Sequence, residues 1–486
     1  MKRYLLLLLL LIQLVNVQAQ APQGGQAFTL EQCLAYALDN SNDIKNSKID
    51  EQIAEARVKE TRGIGLPQVD AAVSVRHNQK LSRFFTTYVD PDDLPEGSFS
   101  FAPAIPGAKT GDIVAGQNFF QLPSSGDAGV TINQILFNGS YLVGLKAANT
   151  YRELSKRTSD QTREQTIEMV IKAYYTVLIN NDRMKLFDNN IARVDSLLKS
   201  TTALFENGFA ESIDVDRIKV SLNNLNSERS KFYNLQELSI QLLKYQMNYP
   251  MNQPIEVAGD IASITIDENL LKNYETEWNY NERIEYQLME TNRKLATLDL
   301  KNEYSASMPS LVAFANLGYS TQSDNIAGVF KTNSDKDIDF QGYGPDKWYS
   351  YSLFGVSLNI PIFSGLQRTY RVQQSKLALQ KIENGFSTLK SSIDLEVKQS
   401  AINYTNAVTT LKSQEENMGL AKNVARITKI KYEQGVGSNL EVVEAESDLR
   451  EAQINYYNSL YDAIVAKVDL DRAYGKLDTT AMPQNK

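Results

Sequence analysis

Residues 129–139 read Gly-Val-Thr-Ile-Asn-Gln-Ile-Leu-Phe-Asn-Gly, and residues 355–365 read Gly-Val-Ser-Leu-Asn-Ile-Pro-Ile-Phe-Ser-Gly. The two stretches start 355 − 129 = 226 residues apart, and Phe205–Gly208 matches Tyr432–Gly435 at an offset of 435 − 208 = 227. Matches that stay in step in this way are typical of an internally duplicated unit. In each copy a strand-like segment precedes a long helical segment that ends at a glycine turn, and this order is the main guide to the fold class.

The start of the chain has the composition of a secretory signal. Lys2 and Arg3 are followed by the apolar run Leu5–Leu11 and, after a polar stretch, by Ala19. This order of charged, apolar and small residues is that of a cleaved signal peptide. An uncleaved membrane anchor is the alternative, but the run is shorter than the roughly 20 residues that a spanning helix needs. We predict a signal peptide over residues 1–19.

Composition argues against several classes of function. The formal net charge is −8, with 50 basic and 58 acidic side chains, and an acidic chain without a basic patch is a poor candidate for binding nucleic acid. His77 is the only histidine, so no catalytic triad or zinc site built on several histidines is available. No phosphate-binding glycine loop occurs. Composition alone leaves catalysis by a pair of carboxylates open, but no cleft-forming fold is indicated. We therefore predict that the protein is not an enzyme and needs no cofactor or metal.

The only cysteine, Cys33, excludes an intramolecular disulfide. It lies among leucines at helical spacing, which predicts a buried, unreactive thiol. Asp90, Asp92 and Asp93 are close enough in sequence to suggest a cation site, but we interpret them as a solvated acidic loop.

Two proline-free segments predict very long helices, about residues 139–207 and 365–434. At 1.5 Å per residue each would extend about 100 Å, whereas an average globular helix has about a dozen residues. Ser212 is the candidate N-cap of the helix after the first glycine turn. Shorter helices are predicted over residues 29–62, 212–248, 281–306 and 439–474.

Four segments alternate apolar and polar residues with a period of two, as β-strands do. Their limits are about 68–77, 128–137, 310–320 and 351–362. Each is about ten residues long, the length of a tilted membrane-spanning strand; a half-buried soluble sheet has the same period, so both interpretations stay open. Polar insertions at about 78–127 and 321–350 join the paired strands, and their roles are not predicted.

Four strands are too few to close a membrane barrel, since the smallest use eight. An open sheet in lipid would leave both edges unsatisfied, at several kcal/mol per exposed polar group. If the strands span a membrane, the chain must therefore oligomerise. A dimer would supply eight strands and a trimer twelve, and only the larger ring leaves room for a channel.

The ordered segments and several short motifs resemble the TolC-type outer-membrane efflux and secretion channel family, also called outer membrane factors. The motifs are Phe28-Thr29-Leu30 with Ala35 and Ala37, Gly65-Leu66-Pro67, Phe137-Asn138-Gly139, Ile362-Phe363-Ser364-Gly365 and Tyr432-Glu433-Gln434-Gly435. The resemblance implies a mostly α protein with membrane β: a homotrimer whose twelve-stranded β-barrel in the cell outer membrane continues into a periplasmic α-barrel of coiled-coil helices.

The same resemblance divides the chain into two TolC-like repeats. The first covers residues 20–249 and the second residues 281–475. Residues 250–280 form a linker or equatorial segment between the repeats, and residues 476–486 form a C-terminal tail. Each repeat is expected to supply two of the four strands and one of the two long helices.

In such channels the periplasmic end is closed by side chains just past the glycine turn of the second copy. The resemblance places a gate at Tyr432, Glu441 and Glu444. The two glutamates are three residues apart on one helix face, so a threefold axis would stack two rings of carboxylates; an ordinary solvated face is the alternative. An arginine of the family's gate would fall at Gly437, so that part of the latch is missing.

The first copy differs at the positions equivalent to the two gate glutamates. It has Asp214 and Arg217, which we expect to form a surface pair of little energetic value. The resemblance implies that both glycine turns are docking tips for an adaptor protein, a role that is compatible with simple helix termination by glycine. The tip residues are Asn207, Gly208, Phe209, Gln434, Gly435 and Val436.

The implied function is that of a passive exit duct in a tripartite efflux pump or a type I secretion system. Small molecules or polypeptides would pass from the periplasm to the exterior. The implied partners are a periplasmic adaptor (membrane fusion) protein, an inner-membrane transporter and outer-membrane lipid. The alternative is a soluble periplasmic coiled-coil scaffold or adaptor. The cargo and the energy source of the pump are not predicted.

Overall fold

The structure is a computed structural model of the single chain. It describes residues 27–100, 102, 105–116, 118, 121–259, 261, 270–271, 274, 278–332 and 345–477. The predicted signal peptide, most of the C-terminal tail and part of the segment 250–280 lie outside the described residues.

Contacts group the described residues into two compact units. The helical unit contains the residues up to Glu55, Thr150–Ala296 and those from Ala378 on. The sheet unit contains Ala56–Asn149 and Thr297–Leu377. Each unit therefore contains segments from both copies of the repeat.

Eight α-helices lie wholly within the described residues, and two of them are unusually long. The long helices have 68 and 67 residues, which corresponds to about 100 Å each. No helix in the described ranges has an apolar stretch long enough to cross a bilayer. The helices are α1 (Leu30–Asn40), α2 (Asn42–Ile64), α3 (Gly139–Glu206), α4 (Ser212–Met247), α5 (Ile284–Ser305), α6 (Ile326–Val329), α7 (Gln367–Glu433) and α8 (Asn439–Ala473).

Two helix boundaries differ from the sequence prediction. The single helix expected over 29–62 is divided into α1 and α2, because Ser41 has a non-helical backbone with φ −53° and ψ 133°. The N-cap of α4 is Glu211 and not Ser212, since Glu211 forms a capping box with Asp214.

The sheet unit contains a four-stranded antiparallel sheet in the order β1–β4–β5–β6. The central strands β4 and β5 come from different copies of the repeat. A separate two-stranded sheet, β2–β3, lies within the insertion 78–127 and was not predicted. The strands are β1 (Gln68–His77), β2 (Phe84–Thr87), β3 (Ile113–Gly116), β4 (Ser124–Phe137), β5 (Ser310–Ser323) and β6 (Tyr349–Asn359).

The four-stranded sheet has one apolar face and one mainly polar face, which also carries Phe314 and Leu353. Residues that pair across strands share a face, and neighbours along a strand lie on opposite faces. The apolar face includes the registered sets Val73–Ala128–Tyr319, Ala71–Val130–Leu317 and Ala315–Phe354. The polar face includes Asp70–Thr131–Asn316, Ser74–Asp127–Ser320 and Arg76–Ser125–Gln322.

The largest apolar core lies in the helical unit, where α1, α3, α4 and α8 meet. Cys33, Ile167 and Leu243 are fully buried there, and Leu460 of α8 packs with them. The prediction of a buried thiol at Cys33 is confirmed. Burial raises its pKa to about 12, so the reactive thiolate form is suppressed.

A buried charge cluster lies near the start of α5. The Arg283 side chain is only 2% exposed and donates to Glu285 at 3.0 Å and to Glu396 of α7 at 2.9 Å. Burial, and then repulsion from Glu285, raises the pKa of the Glu164 carboxyl to about 7, while Arg283 and Arg472 act in the opposite direction. Glu164 therefore titrates in a range where carboxyl groups are ordinarily ionised.

Candidate functional site at the two glycine turns

The two glycine turns end α3 and α7 with the same backbone geometry. Gly208 and Gly435 have φ values of 80° and 68°, in the left-handed region that glycine adopts without a Cβ penalty. After each glycine, Phe209 and Val436 donate their main-chain N–H to carbonyls five residues earlier, at 2.8 and 3.0 Å. These are Schellman motifs, which satisfy carbonyls that the helix end leaves open.

All six predicted tip residues are exposed. Phe209 and Val436 are 81% and 73% exposed, respectively, so each turn presents one apolar side chain to its surroundings. Asn207 is held to its own helix because its Nδ2 donates to the Ala203 carbonyl at 2.7 Å.

The two turns lie side by side in the helical unit and border a common groove of about 910 Å³. Its walls include Leu204 and Phe209 from the first turn, and Tyr432 and Leu440 from the second. The N-terminal ends of α4 and α8 are joined directly, since Asn439 Nδ2 donates to the Asp214 carbonyl at 3.0 Å. The tips of the two copies thus form one site.

Tyr432 connects α7 to α3. Its ring packs against an apolar cluster formed by residues of α3, α4 and α8, including Val194, Ile218 and Val442. Its hydroxyl lies 3.0 Å from the hydroxyl of Thr201, which is fully buried. Tyr432 therefore has both an apolar and a polar anchor at this end of the bundle.

The two predicted gate glutamates have different surroundings. Both are exposed residues in the first turns of α8. Glu441 forms an ion pair with Lys431 at 3.3 Å, in which both side chains are about half-exposed (50% and 49%). Among the described residues, Glu444 has no ion-pair partner. Within one chain, Glu444 is therefore the less neutralised of the two carboxylates.

Gly437, where the resemblance leads one to expect an arginine, lies against the end of α7. A β-carbon at this position would be 3.1 Å from Lys431 Cβ and 3.1 Å from the Tyr432 main-chain nitrogen. Any larger residue would therefore require its neighbours to shift. In the first copy, Arg217 and Asp214 are 3.8 Å apart and partly exposed, a pair of low energetic value.

Sequence reasoning did not identify several of the contacts that join the helices here. Arg193 of α3 donates to both carboxylate oxygens of Glu446 in α8, at 3.3 and 3.0 Å. Thr201, Lys431 and Asn439 were also missed. The bonds of Arg193, Thr201 and Asn439 join residues 225 to 253 positions apart, and no local motif indicates them.

The groove between the two turns is lined by both polar and apolar side chains. In the described part of the chain, no group of three or more His, Cys, Asp or Glu side chains is arranged to hold a metal.

Comparison with solved structures defines the class of fold. The outer membrane protein VceC of Vibrio cholerae superposes with a TM-score of 0.68 over 92% of this chain and 96% of that chain, at 14% identity. The open state of the MtrE outer membrane channel of Neisseria gonorrhoeae gives 0.67 over 92% and 89%, at 15% identity. The fold is that of the outer-membrane channels.

Sequence comparison shows the family. Residues 34–243 and 287–476 match the family described as outer membrane efflux protein. The outer membrane protein TolC of Vibrio cholerae is 23% identical over 370 residues, which cover 74% of this chain and 79% of that protein. The chain belongs to the outer membrane efflux protein family, and the predicted localisation in the cell outer membrane is confirmed.

Proposed function

We propose that this chain is the protomer of a homotrimeric channel that acts as a passive exit duct. Three copies would supply twelve strands to a β-barrel in the outer membrane and long helices to an α-barrel in the periplasm. Each TolC-like repeat, residues 20–249 and 281–475, would contribute two strands and one long helix to the wall.

The observation that carries this proposal is the amphipathic four-stranded sheet. One face is apolar, as a lipid-facing surface must be, and the other is mainly polar, as a water-filled lumen requires. Strands β1 and β6 stand at the ends of the sheet. In lipid their outer backbone groups need partners, because no water is present to bond them. Pairing β1 of one copy with β6 of the next satisfies both edges.

The tip site supports the gate and docking roles. A channel entrance must be held closed by contacts that can break, and the Tyr432–Thr201 and Lys431–Glu441 contacts join α7 to α3 and α8. Tyr432, Glu441 and Glu444 are proposed as gate residues. The exposed turns Asn207–Phe209 and Gln434–Val436 are proposed to dock a periplasmic adaptor, which connects the duct to an inner-membrane transporter.

The cargo is proposed to be small molecules expelled by a tripartite pump, in keeping with the family to which the chain belongs. Loss of the gene should make cells accumulate a fluorescent efflux dye, and the wild-type chain should restore its export. If dye export were normal and a secreted polypeptide were retained instead, the duct would serve type I secretion. A protein released without detergent would support the soluble scaffold alternative.

A further inference from the structure

The short helix α6 lies on the apolar face of the sheet, at the end where β4 begins and β5 stops. Gly126 belongs to this face because it pairs with Val75 and Thr321. A β-carbon on Gly126 would lie 2.7 Å from Val329 Cγ1 and 2.9 Å from the Trp348 ring. Gly126 thus marks the place where α6 and Trp348 pack directly on the strands.

Several contacts fix α6 to the sheet. The Asn325 side chain caps it by accepting from the Gly328 N–H at 2.9 Å, and Trp348 Nε1 donates to the Val329 carbonyl at 3.0 Å. A β-carbon on Gly328 would lie only 1.9 Å from Ser323 Oγ. The helix therefore lies directly on β5.

At this end of the apolar face the side chains beneath α6 carry hydroxyl groups, whereas the surface that α6 presents is apolar. Ser124 and Ser323 are fully buried and Thr321 is 3% exposed. Above them, Ile326 and Phe330 are 49% and 72% exposed. Exposing a large aliphatic and an aromatic side chain is unfavourable in water. The same arrangement is favourable where the surroundings are acyl chains.

The height of α6 on the sheet agrees with a membrane boundary. At about 3.4 Å per residue and a tilt of about 40°, the roughly ten residues from Leu311 to Thr321 rise about 26 Å. The apolar band of outer-membrane barrels is about 25 Å tall. The rise from Leu311, near the start of β5, to the strand end beneath α6 therefore matches the height of that band.

We propose that α6 is an interfacial anchor whose Ile326 and Phe330 side chains insert among the acyl chains of the outer leaflet. This rests on the proposed function, in which the apolar face contacts lipid. The apolar surface of α6 continues that face, and α6 packs chiefly on the central strands β4 and β5. Copies of the chain would join at β1 and β6, so lipid is the occupant that this position favours.

Nitroxide labels on the full-length protein in outer-membrane lipid vesicles test the proposal. Single cysteines at Ile326 and Phe330 are introduced in a Cys33→Ala background. Collision with oxygen, which partitions into lipid, is compared with collision with a water-soluble nickel chelate. Two control variants give the reference collision ratios for the two faces of the sheet: Val73→Cys on the apolar face and Ser74→Cys on the polar face.

We expect the oxygen-to-nickel ratio at Ile326 and Phe330 to lie between the high value at Val73 and the low value at Ser74. If the ratios at Ile326 and Phe330 equalled that at Ser74 while Val73 was still lipid-exposed, the anchor proposal would be wrong. The proposed channel function would not be affected by that result. Low collision rates with both oxygen and the nickel chelate at Ile326 and Phe330 would show that protein covers these side chains. That result would also contradict the anchor proposal. Equal low ratios at Val73 and Ser74 would instead contradict the membrane-spanning sheet.

Discussion

The hydroxyl groups of Tyr432 and Thr201 lie 3.0 Å apart and connect the end of α7 with α3. Residue 432 belongs to the second copy of the repeat and residue 201 to the first. The bond therefore joins the two copies at the site where we place the gate. It is the contact whose loss should most directly loosen this end of the bundle.

Tyr432→Phe keeps the ring and removes the hydroxyl. Since Thr201 is fully buried, its hydroxyl would lose this partner, at a cost of about 1 kcal/mol. We expect a higher resting conductance of the channel in planar bilayers. Thr201→Val should have a similar effect, and the double variant should add little, because both changes remove one bond. If the increases in resting conductance of the two single variants added fully in the double variant, the Tyr432–Thr201 bond would not be what keeps the gate closed.

Neutralising the two proposed gate glutamates should reduce the cation preference of the channel by unequal amounts. Lys431 already offsets Glu441, so Glu444→Gln should lower the preference more than Glu441→Gln. Reversal potentials in a salt gradient measure this preference. Glu237→Gln, at an exposed position far along α4, is the control. An unchanged reversal potential in the double variant Glu441→Ala/Glu444→Ala would show that neither residue contributes to the gate.

Asn439→Ala should weaken the connection between the two tips. Asn439 is 5% exposed, and its side chain holds the Asp214 carbonyl at 3.0 Å. Losing this bond should cost about 1–2 kcal/mol and speed chymotrypsin cleavage after the exposed Phe209. Asn439→Asp should speed this cleavage more than Asn439→Ala does, because it places a carboxylate against the Asp214 carbonyl oxygen. Equal cleavage rates in wild type and both variants would contradict this.

Glu164 should make the stability of the helical unit depend on pH. Because its folded pKa is raised to about 7, above the ordinary value of about 4.3, its stabilising contribution is complete below the ordinary pKa. That contribution is lost as the pH rises through about 7. Glu164→Gln should therefore be more resistant to denaturant than wild type at pH 8, and little different at pH 4. If the difference in denaturant resistance between Glu164→Gln and wild type were the same at pH 8 and pH 4, titration of Glu164 would not be its cause.

The sequence predicted the elements that have a local pattern. Glycines 208 and 435 indicated the ends of the long helices, because no side chain favours a positive φ there. The apolar alternation around Val73 and Val130 indicated strands. The break at Ser41 and the four-residue strand Phe84–Thr87 were missed, since each is shorter than the window in which periodicity can be read.

The site was predicted only in part, because its contacts join distant segments. The glycine turns in the sequence predicted the positions of the tips, and the family resemblance assigned Glu441 and Glu444 to the gate. The ion pair of Glu441 with Lys431 depends on how the chain reverses at Gly435. The Arg193–Glu446 pair depends on which faces of α3 and α8 meet, and spacing within one helix does not encode this.

In the function that we propose, three copies of the chain complete one channel. The most direct measurement is native mass spectrometry of the detergent-extracted protein, followed by single-channel recording of the same sample. We predict a trimer that yields discrete conductance steps, with a low conductance at rest that Tyr432→Phe increases. A monomer or dimer that gives no conductance steps would contradict the proposed trimeric channel.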